Sequence, residues 1–223
     1  MSKVFVSVGM SLDGYIAPEG MDLEHADDPA FWMSKWMQLQ AWVADQEFFR
    51  QNLGLGDGGE TGRDNEIIRG IFERTGVSIM GKRMFEGGER FWPEEAPFHT
   101  PVFVVTSEVR APWQRPGGTT FYFVNDGIES ALEQAHAVAG DRDIRIAGGA
   151  HVIRQYLDAG LVDELAIELA PVLFGGGTAL FDGLDTDQVP LEIVDAIHSP
   201  RVTHLRYAVQ RTPSGGDRVV QSV

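Results

Sequence analysis

No cysteine occurs among the 223 residues, which excludes disulfides, thiolate metal sites and a cysteine nucleophile. Basic residues are scarce: 18 Lys and Arg stand against 33 Asp and Glu, a formal charge of −15. A chain of that sign lacks the positive field that non-specific nucleic-acid binding requires. Long apolar runs are missing too, none approaching the roughly 20 residues that span a bilayer. The opening MSKVFVSVGM has no apolar h-region and no small-residue cleavage site. The expectation is a cytoplasmic protein that meets neither nucleic acid nor membrane. The rest is ordinary for a globular fold, with 43% hydrophobic and 23% charged residues, enough apolar surface to offset the ordering entropy. Glycine is plentiful at 26 residues, and its placement is informative.

KVFVSVG (3–9) alternates β-branched residues and reads as a strand. Residues 29–51 read as one or two helices, with Pro29 in the first turn after the possible caps Asp27 and Asp28. GLGDGGETG (54–62) is a Gly-rich loop and the best candidate for a mobile segment. Ile67, Ile68, Ile71 and Phe72 mark a helix over 64–75 that Gly76 would stop. VSIMG (77–81) is a buried strand leading into a helix at KRMFE, and PVFVVTS (101–107) is a strand buried on both faces. Phe121–Val124 is a further strand. Asp126 and Glu129 have capping-box spacing before the next helix. Strand 144–147 feeds a helix through Gly148-Gly149, and Gly160 ends that helix. From 163 the chain reads as strands alone: Leu165, Ile167 and Leu169 alternate, Gly175–Gly177 suits a hairpin turn, and 190–197 with 201–210 should form an antiparallel hairpin. Alternation of this kind predicts an α/β domain with a mixed, mostly parallel sheet, helices on both faces and a C-terminal antiparallel hairpin. One domain is expected over 1–212, with 20–62 as an inserted, substrate-side segment and 213–223 as a polar tail.

Three transitions could carry chemistry, since ligands of open α/β sheets sit at the carboxyl ends of strands. At Met80-Gly81-Lys82-Arg83 a glycine opens a helix and two cations follow. Thr106-Ser107 places hydroxyls at the end of a buried strand. Ala147-Gly148-Gly149-Ala150 again feeds a helix start through glycines. Together they suit a phosphorylated dinucleotide, with helix N-termini for phosphates and hydroxyls plus a cation for a further phosphate. The bland readings are a tight turn, solvated surface charges and a turn cap. No GxGxxG follows the first strand, and no Lys-Ser/Thr follows Gly175–Gly177 as a phosphate-binding P-loop requires. The six histidines show no metal-ligand spacing, and no metal is expected.

SLDGYIA after the first strand, MGKRMFE, VFVVTS and above all IRIAGGAHVIRQYLDAGLVDEL with APVLFGGG resemble the dihydrofolate-reductase-like superfamily. The similarity is strongest to the branch containing the reductase domain of bacterial riboflavin biosynthesis, and it spans about residues 3–210. The resemblance implies a three-layer single-domain fold, NADPH as cofactor and pairing into a homodimer through the terminal sheet. It places Gly9, Ile16 and Ala17 along the nicotinamide end. Gly81, Lys82 and Arg83 fall at the pyrophosphate and adenosine phosphate, with Thr106 and Ser107 on the 2′-phosphate side. Ala147, Gly148, Gly149, Ala150 and Val152 fall at the pyrophosphate and nicotinamide ribose. The pterin-binding carboxylate of dihydrofolate reductases has no counterpart in MDLEHADDPA (21–30), Met84 stands where a small hydroxyl residue is usual, and Lys82 stands in place of Arg. Weak candidates for the acid are Asp13, Asp45 and Glu47. Trp32, Met33, Trp36 and Met37 could wall a flat substrate, although core packing is the simpler reading. The expected activity is NADPH-dependent reduction of a small heteroaromatic or carbonyl-type substrate. The alternative is a non-catalytic nucleotide-binding or dimerisation module of the same fold.

Overall fold

The computed structural model describes residues 2–21 and 29–210; the caps expected at Asp27 and Asp28, and the tail, lie outside them. The chain begins with β1 (Val4–Ser11) and β2 (Tyr15–Pro18), then α1 (Pro29–Ala44), α2 (Glu47–Asn52) and α3 (Arg63–Arg74). It continues through β3 (Thr75–Gly81), α4 (Lys82–Glu89), β4 (Pro101–Val105), β5 (Trp113–Gln114) and β6 (Thr120–Val124). Next come α5 (Ile128–Val138), β7 (Asp143–Gly148), α6 (Ala150–Asp158) and β8 (Glu164–Ala170). The last described elements are β9 (Gly177–Ala179), β10 (Leu191–His198) and β11 (Thr203–Val209).

One sheet runs in the order β10-β11-β8-β1-β7-β3-β4-β6-β5. Its central strands from β8 to β6 are all parallel, while β11, β10 and β5 are antiparallel additions at the two edges. The expected mixed α/β sheet with a terminal hairpin is therefore what forms. One face buries Val4, Val6, Val77, Ile79, Ile144, Ile146, Leu165 and Ile167 against α5 and α6, where the Tyr156 hydroxyl donates to Ile128 O at 2.7 Å. The other face carries two clusters: Phe5, Trp42, Val43, Ile68 and Ile71 under α1 and α3, and Met80, Phe85, Val102, Val104 and Phe121 under α4. Phe85 lies edge-on to Trp92, Trp113, Phe121 and Phe123.

Several local expectations fail for reasons of packing. Gly76 does not stop α3; the helix ends at Arg74 and the chain turns straight into β3. A Cβ at Gly76 would stand 2.6 Å from Ala139 O, so the glycine admits the end of α5 instead. Gly127, not Asp126, is the N-cap of α5, and no side chain closes it. Gly175–Gly177 does not make a hairpin with β8: Gly177 pairs with Pro18 in a separate small sheet of β2 and β9. Within the exposed 54–62 loop Glu60 is anchored, its N–H donating to Asp45 O at 2.7 Å and Arg201 gripping Asp45 and Glu60 at 2.6 and 2.5 Å.

The α1/α3 face also carries a buried polar set. Glu168 in β8, only 4% exposed, accepts from Ser7 Oγ at 3.2 Å. Arg145 in β7 donates to Ser7 O at 3.2 Å, and its Nε is buried without a partner. Loss of water around Glu168 pushes its carboxyl up to about 7, against the opposing pull of Arg145 and Ser7. Between the ordinary value of 4.5 and about 7, the folded chain keeps a proton that the unfolded chain has released. This group therefore stabilises the fold below pH 4.5, and that contribution is lost as pH rises through 7. Urea unfolding at pH 5 and pH 8 should show a loss of stability with rising pH that is smaller in Glu168→Gln. Identical pH dependence in the two proteins would show that the carboxyl titrates elsewhere.

Candidate functional site

The parallel neighbours β3 and β7 pair through Met80 and Gly148, and each ends in glycine as a helix begins. A Cβ at Gly81 would stand 2.8 Å from Val152 Cγ2 and 3.9 Å from Gly149 N. The missing side chain thus lets Val152 of α6 seat against the start of α4, bringing two helix N-termini side by side. Gly148 has φ +130° and is joined to Gly149 by a cis peptide. Met84 fills the space beside Gly148, its Sδ lying 3.0 Å from where a Cβ would stand. Gly149 differs: no atom lies within 4 Å of its Cβ position, so open space lies before α6. Neither helix start is closed by a side-chain cap, which leaves first-turn N–H groups and the positive ends of two helix dipoles for an anion. Ala147, Ala150 and Val152 are buried and contribute backbone and packing.

The strand next to β3 brings the remaining groups. Thr106 follows β4, and its hydroxyl accepts from Glu108 N at 3.1 Å, so it caps a turn. Ser107 is exposed beside it. Lys82 donates to Glu108 Oε1 at 2.5 Å and lies 3.6 Å from Glu86 Oε1, contacts that raise its pKa above the usual lysine value, the hydrogen bond to Glu108 foremost. Arg83 is exposed on the first turn of α4. The set expected from 81–83, 106–107 and 147–152 is therefore gathered at one end of adjacent parallel strands.

The residues expected at the nicotinamide end are arranged differently. Gly9 lies in β1 opposite Glu168, and Leu39 and Gln40 of α1 stand 3.5 and 3.4 Å from its Cβ position. That place is filled by the helix rather than open. Ile16 packs into the α5/α6-side core, and Ala17 pairs with Thr178.

Asp13 is fully engaged in structure. It accepts from Ser11 Oγ at 2.6 Å, Gly175 N at 2.7 Å and Phe174 N at 3.1 Å, bonds that hold its carboxyl down to about 2. An acid ionised that firmly is a poor proton donor near neutrality. Asp45 is held by Arg201, and Glu47 sits in the first turn of α2, so neither joins the helix starts. Trp32 is buried edge-on to Phe91, while Met37 is exposed. His204, in β11 opposite Glu168, is paired with Asp64 at 3.1 Å, and burial lowers its pKa. Among the described residues no group of side chains could hold a metal ion, and no helix is long and apolar enough to cross a membrane.

Glu168 is the ionisable group that reading the sequence missed. Its signal was present in the alternation of Leu165, Ile167 and Leu169 with Ala166 and Glu168. Alternation assigns such polar positions to solvent, whereas here α1 and α3 cover them.

The open space at Gly149 is a cradle that a Cβ would fill, and with Lys82, Arg83 and Ser107 at one rim the donor set suits the phosphates of a dinucleotide. Comparison with known proteins is consistent with this architecture. The uncharacterized protein YyaP of Bacillus subtilis is 37% identical over 59 residues, 26% of this chain and 31% of that protein. A provisionally assigned riboflavin biosynthesis protein from Shewanella sp. PV-4 superposes with a TM-score of 0.64 at 20% identity, covering 95% of this chain and 100% of that one. The diaminohydroxyphosphoribosylaminopyrimidine deaminase/5-amino-6-(5-phosphoribosylamino)uracil reductase of Thermotoga maritima gives 0.58 at 15% identity, covering 94% of this chain and 57% of that one. Dihydrofolate reductase from Enterococcus faecalis, solved with NADP(H), gives 0.52 at 15% identity, covering 93% and 96%. At these identities the superpositions establish a shared dihydrofolate-reductase-like fold. The sequence profile of the RibD C-terminal domain matches residues 2–205, and the chain belongs to that family.

Proposed function

We propose that this protein is an NADPH-dependent reductase of a small heteroaromatic or carbonyl-type substrate, of the riboflavin-pathway reductase kind, working in the cytoplasm. The observation that carries the reading is the pair of adjoining helix starts at Gly81 and Gly149, with open space over Gly149. Family membership supports it, as do a named reductase and a dihydrofolate reductase solved with NADP(H) among proteins of the same fold. The cofactor, when bound, supplies the hydride. The chain supplies orientation: first-turn amides of α4 and α6 for the pyrophosphate, and Lys82, Arg83 and Ser107 for a 2′-phosphate. The acceptor would lie on the α1 side of β1 near Gly9, where Leu39 and Gln40 must yield to admit it. A second reading, a nucleotide-binding module without catalysis, draws on that same covered Gly9 and on the engagement of Asp13. NADPH titration by calorimetry, followed by NADPH oxidation against a panel of small heteroaromatic and carbonyl compounds, separates the two. Tighter binding of NADPH than NADH with turnover supports the reductase, whereas binding without turnover on any compound supports the module.

Gly149→Val tests the cradle. Its φ of −75° suits any residue and nothing beyond its chain neighbours lies within 4 Å of the added carbon, so the fold should be kept. The new side chain occupies the space proposed for the pyrophosphate, and NADPH binding should be abolished by calorimetry while the circular dichroism melt is preserved. A variant that binds like the parent would place the pyrophosphate elsewhere.

We also propose a homodimer built on the terminal strands. β10 is an edge strand whose Ile193 is 73% exposed and Val194 51% exposed, an apolar edge that a second copy would cover. Repulsion between the acidic chains is confined to about 8–10 Å at physiological salt. Light scattering at micromolar concentration should return twice the 24.6 kDa chain mass, and Ile193→Lys should return one chain mass. A parent at one chain mass would refute the dimer.

A further inference from the structure

Lys82, the first residue of α4, is already engaged by carboxylates from two elements. Glu86, four residues on in α4, lies 3.6 Å away, and Glu108, from the loop after β4, accepts its hydrogen bond at 2.5 Å. The place of Glu108 is set twice. Its own N–H closes a turn on Thr106 Oγ1. Two residues later Arg110 donates to both carboxylate oxygens of Glu89 at 2.6 and 3.3 Å, with its guanidinium over the rings of Phe123, Phe85 and Trp113. The loop therefore delivers a negative charge to the end of β4, beside the hydroxyls of Thr106 and Ser107. The pair is reachable from solvent, since the Lys82 side chain is 37% exposed and that of Glu108 57% exposed.

We propose that Glu108 is a specificity-determining residue for the dinucleotide, holding Lys82 until an adenosine 2′-phosphate displaces it. The proposal rests on the reductase reading above, from which it takes Lys82 as a phosphate contact. A doubly charged 2′-phosphate arriving at Lys82 meets Glu108 and Glu86 at short range, so part of its attraction to Lys82 and Arg83 is cancelled. A ribose with a free 2′-hydroxyl meets no such opposition, and a carboxylate can accept its hydrogen bond. Glu108 thereby narrows the preference for NADPH over NADH that Lys82, Arg83 and Ser107 create. Arg110 and Thr106 keep the carboxylate at its post, so this is a built position rather than one surface charge among many.

Glu108→Gln keeps the side-chain shape and removes the charge at an exposed position, so folding should be unaffected. Titration calorimetry with NADPH and NADH, and with adenosine 2′,5′-bisphosphate and adenosine 5′-monophosphate, isolates the 2′-phosphate. In Glu108→Gln, NADPH and the bisphosphate should bind about three- to tenfold more tightly. NADH and the monophosphate should change by less than about twofold, and the gain should shrink as salt is raised. Glu133→Gln, the same charge change on α5, should leave the ratio of the two dinucleotides alone. If the parent binds NADPH and Glu108→Gln leaves that ratio unchanged, the proposal fails and the reductase reading stands. An equal gain in Glu133→Gln reduces Glu108 to general field and also overturns it. A parent that binds neither dinucleotide nor bisphosphate overturns both.

Discussion

The seating of Val152 in the place of a side chain that Gly81 lacks is the contact on which the candidate site depends. Parallel strands deliver their helices from the same end of the sheet, and β3 and β7 are neighbours. Adjacency of strands alone does not make their helix starts touch, because a side chain at the end of β3 would hold α6 away. With glycine at 81, the α6 start closes to within 3.9 Å of the Cβ position. Two helix starts without side-chain caps then stand side by side, each with the positive end of its dipole. Gly149 completes the arrangement by leaving open space before α6. The two glycines thus act in opposite senses, the place of one side chain being filled by protein and that of the other left open.

The anion site proposed for a chain of formal charge −15 looks contradictory until the ranges are compared. Screening limits the net field to roughly 8 Å at physiological salt, whereas amides and cations at the helix starts act at hydrogen-bond distance. The acidic residues matter only where they come within that distance, as they do at Lys82. The local balance of charge, one lysine against two carboxylates, is closer to neutral than either the net charge or the Lys-Arg dipeptide suggests.

The succession of strands and helices along the chain, and the glycine-led helix starts, were legible in the sequence because they rest on short-range patterns. Apolar runs at 77–81 and 101–105, glycine at a strand end, and cations just beyond it are all local signals. What stayed hidden depends on contacts distant in sequence. Gly76 looked like a helix stop until α5 packed on it, and Asp13 looked like a loop acid until it met the amides of Phe174 and Gly175. Glu108 could not be connected to Lys82, 26 residues away, without knowing that β3 and β4 are adjacent. The edge strand β5, two residues long, is too short to leave a period.

The polar set at Arg145, Ser7 and Glu168 breaks the rule that sheet faces under helices are apolar. Burying charged groups seldom adds stability over well-packed hydrophobic residues, and this set leaves Arg145 Nε without a partner. Such exceptions concentrate where a fold does its chemistry. Here the exception lies directly across from Gly9, which is paired with Glu168 where β8 and β1 meet under α1. The same face is apolar under α4 and apolar around Phe5, so the polarity is local rather than a general looseness of patterning. If α1 moved aside, Leu39 and Gln40 would leave Gly9 uncovered, and the first ionisable group met beside it on β8 would be Glu168. That carboxyl titrates near neutrality because it is buried, and exposure to water would return it toward its ordinary value. The cover that closes this face over Gly9 is therefore also what holds the Glu168 carboxyl above its ordinary value.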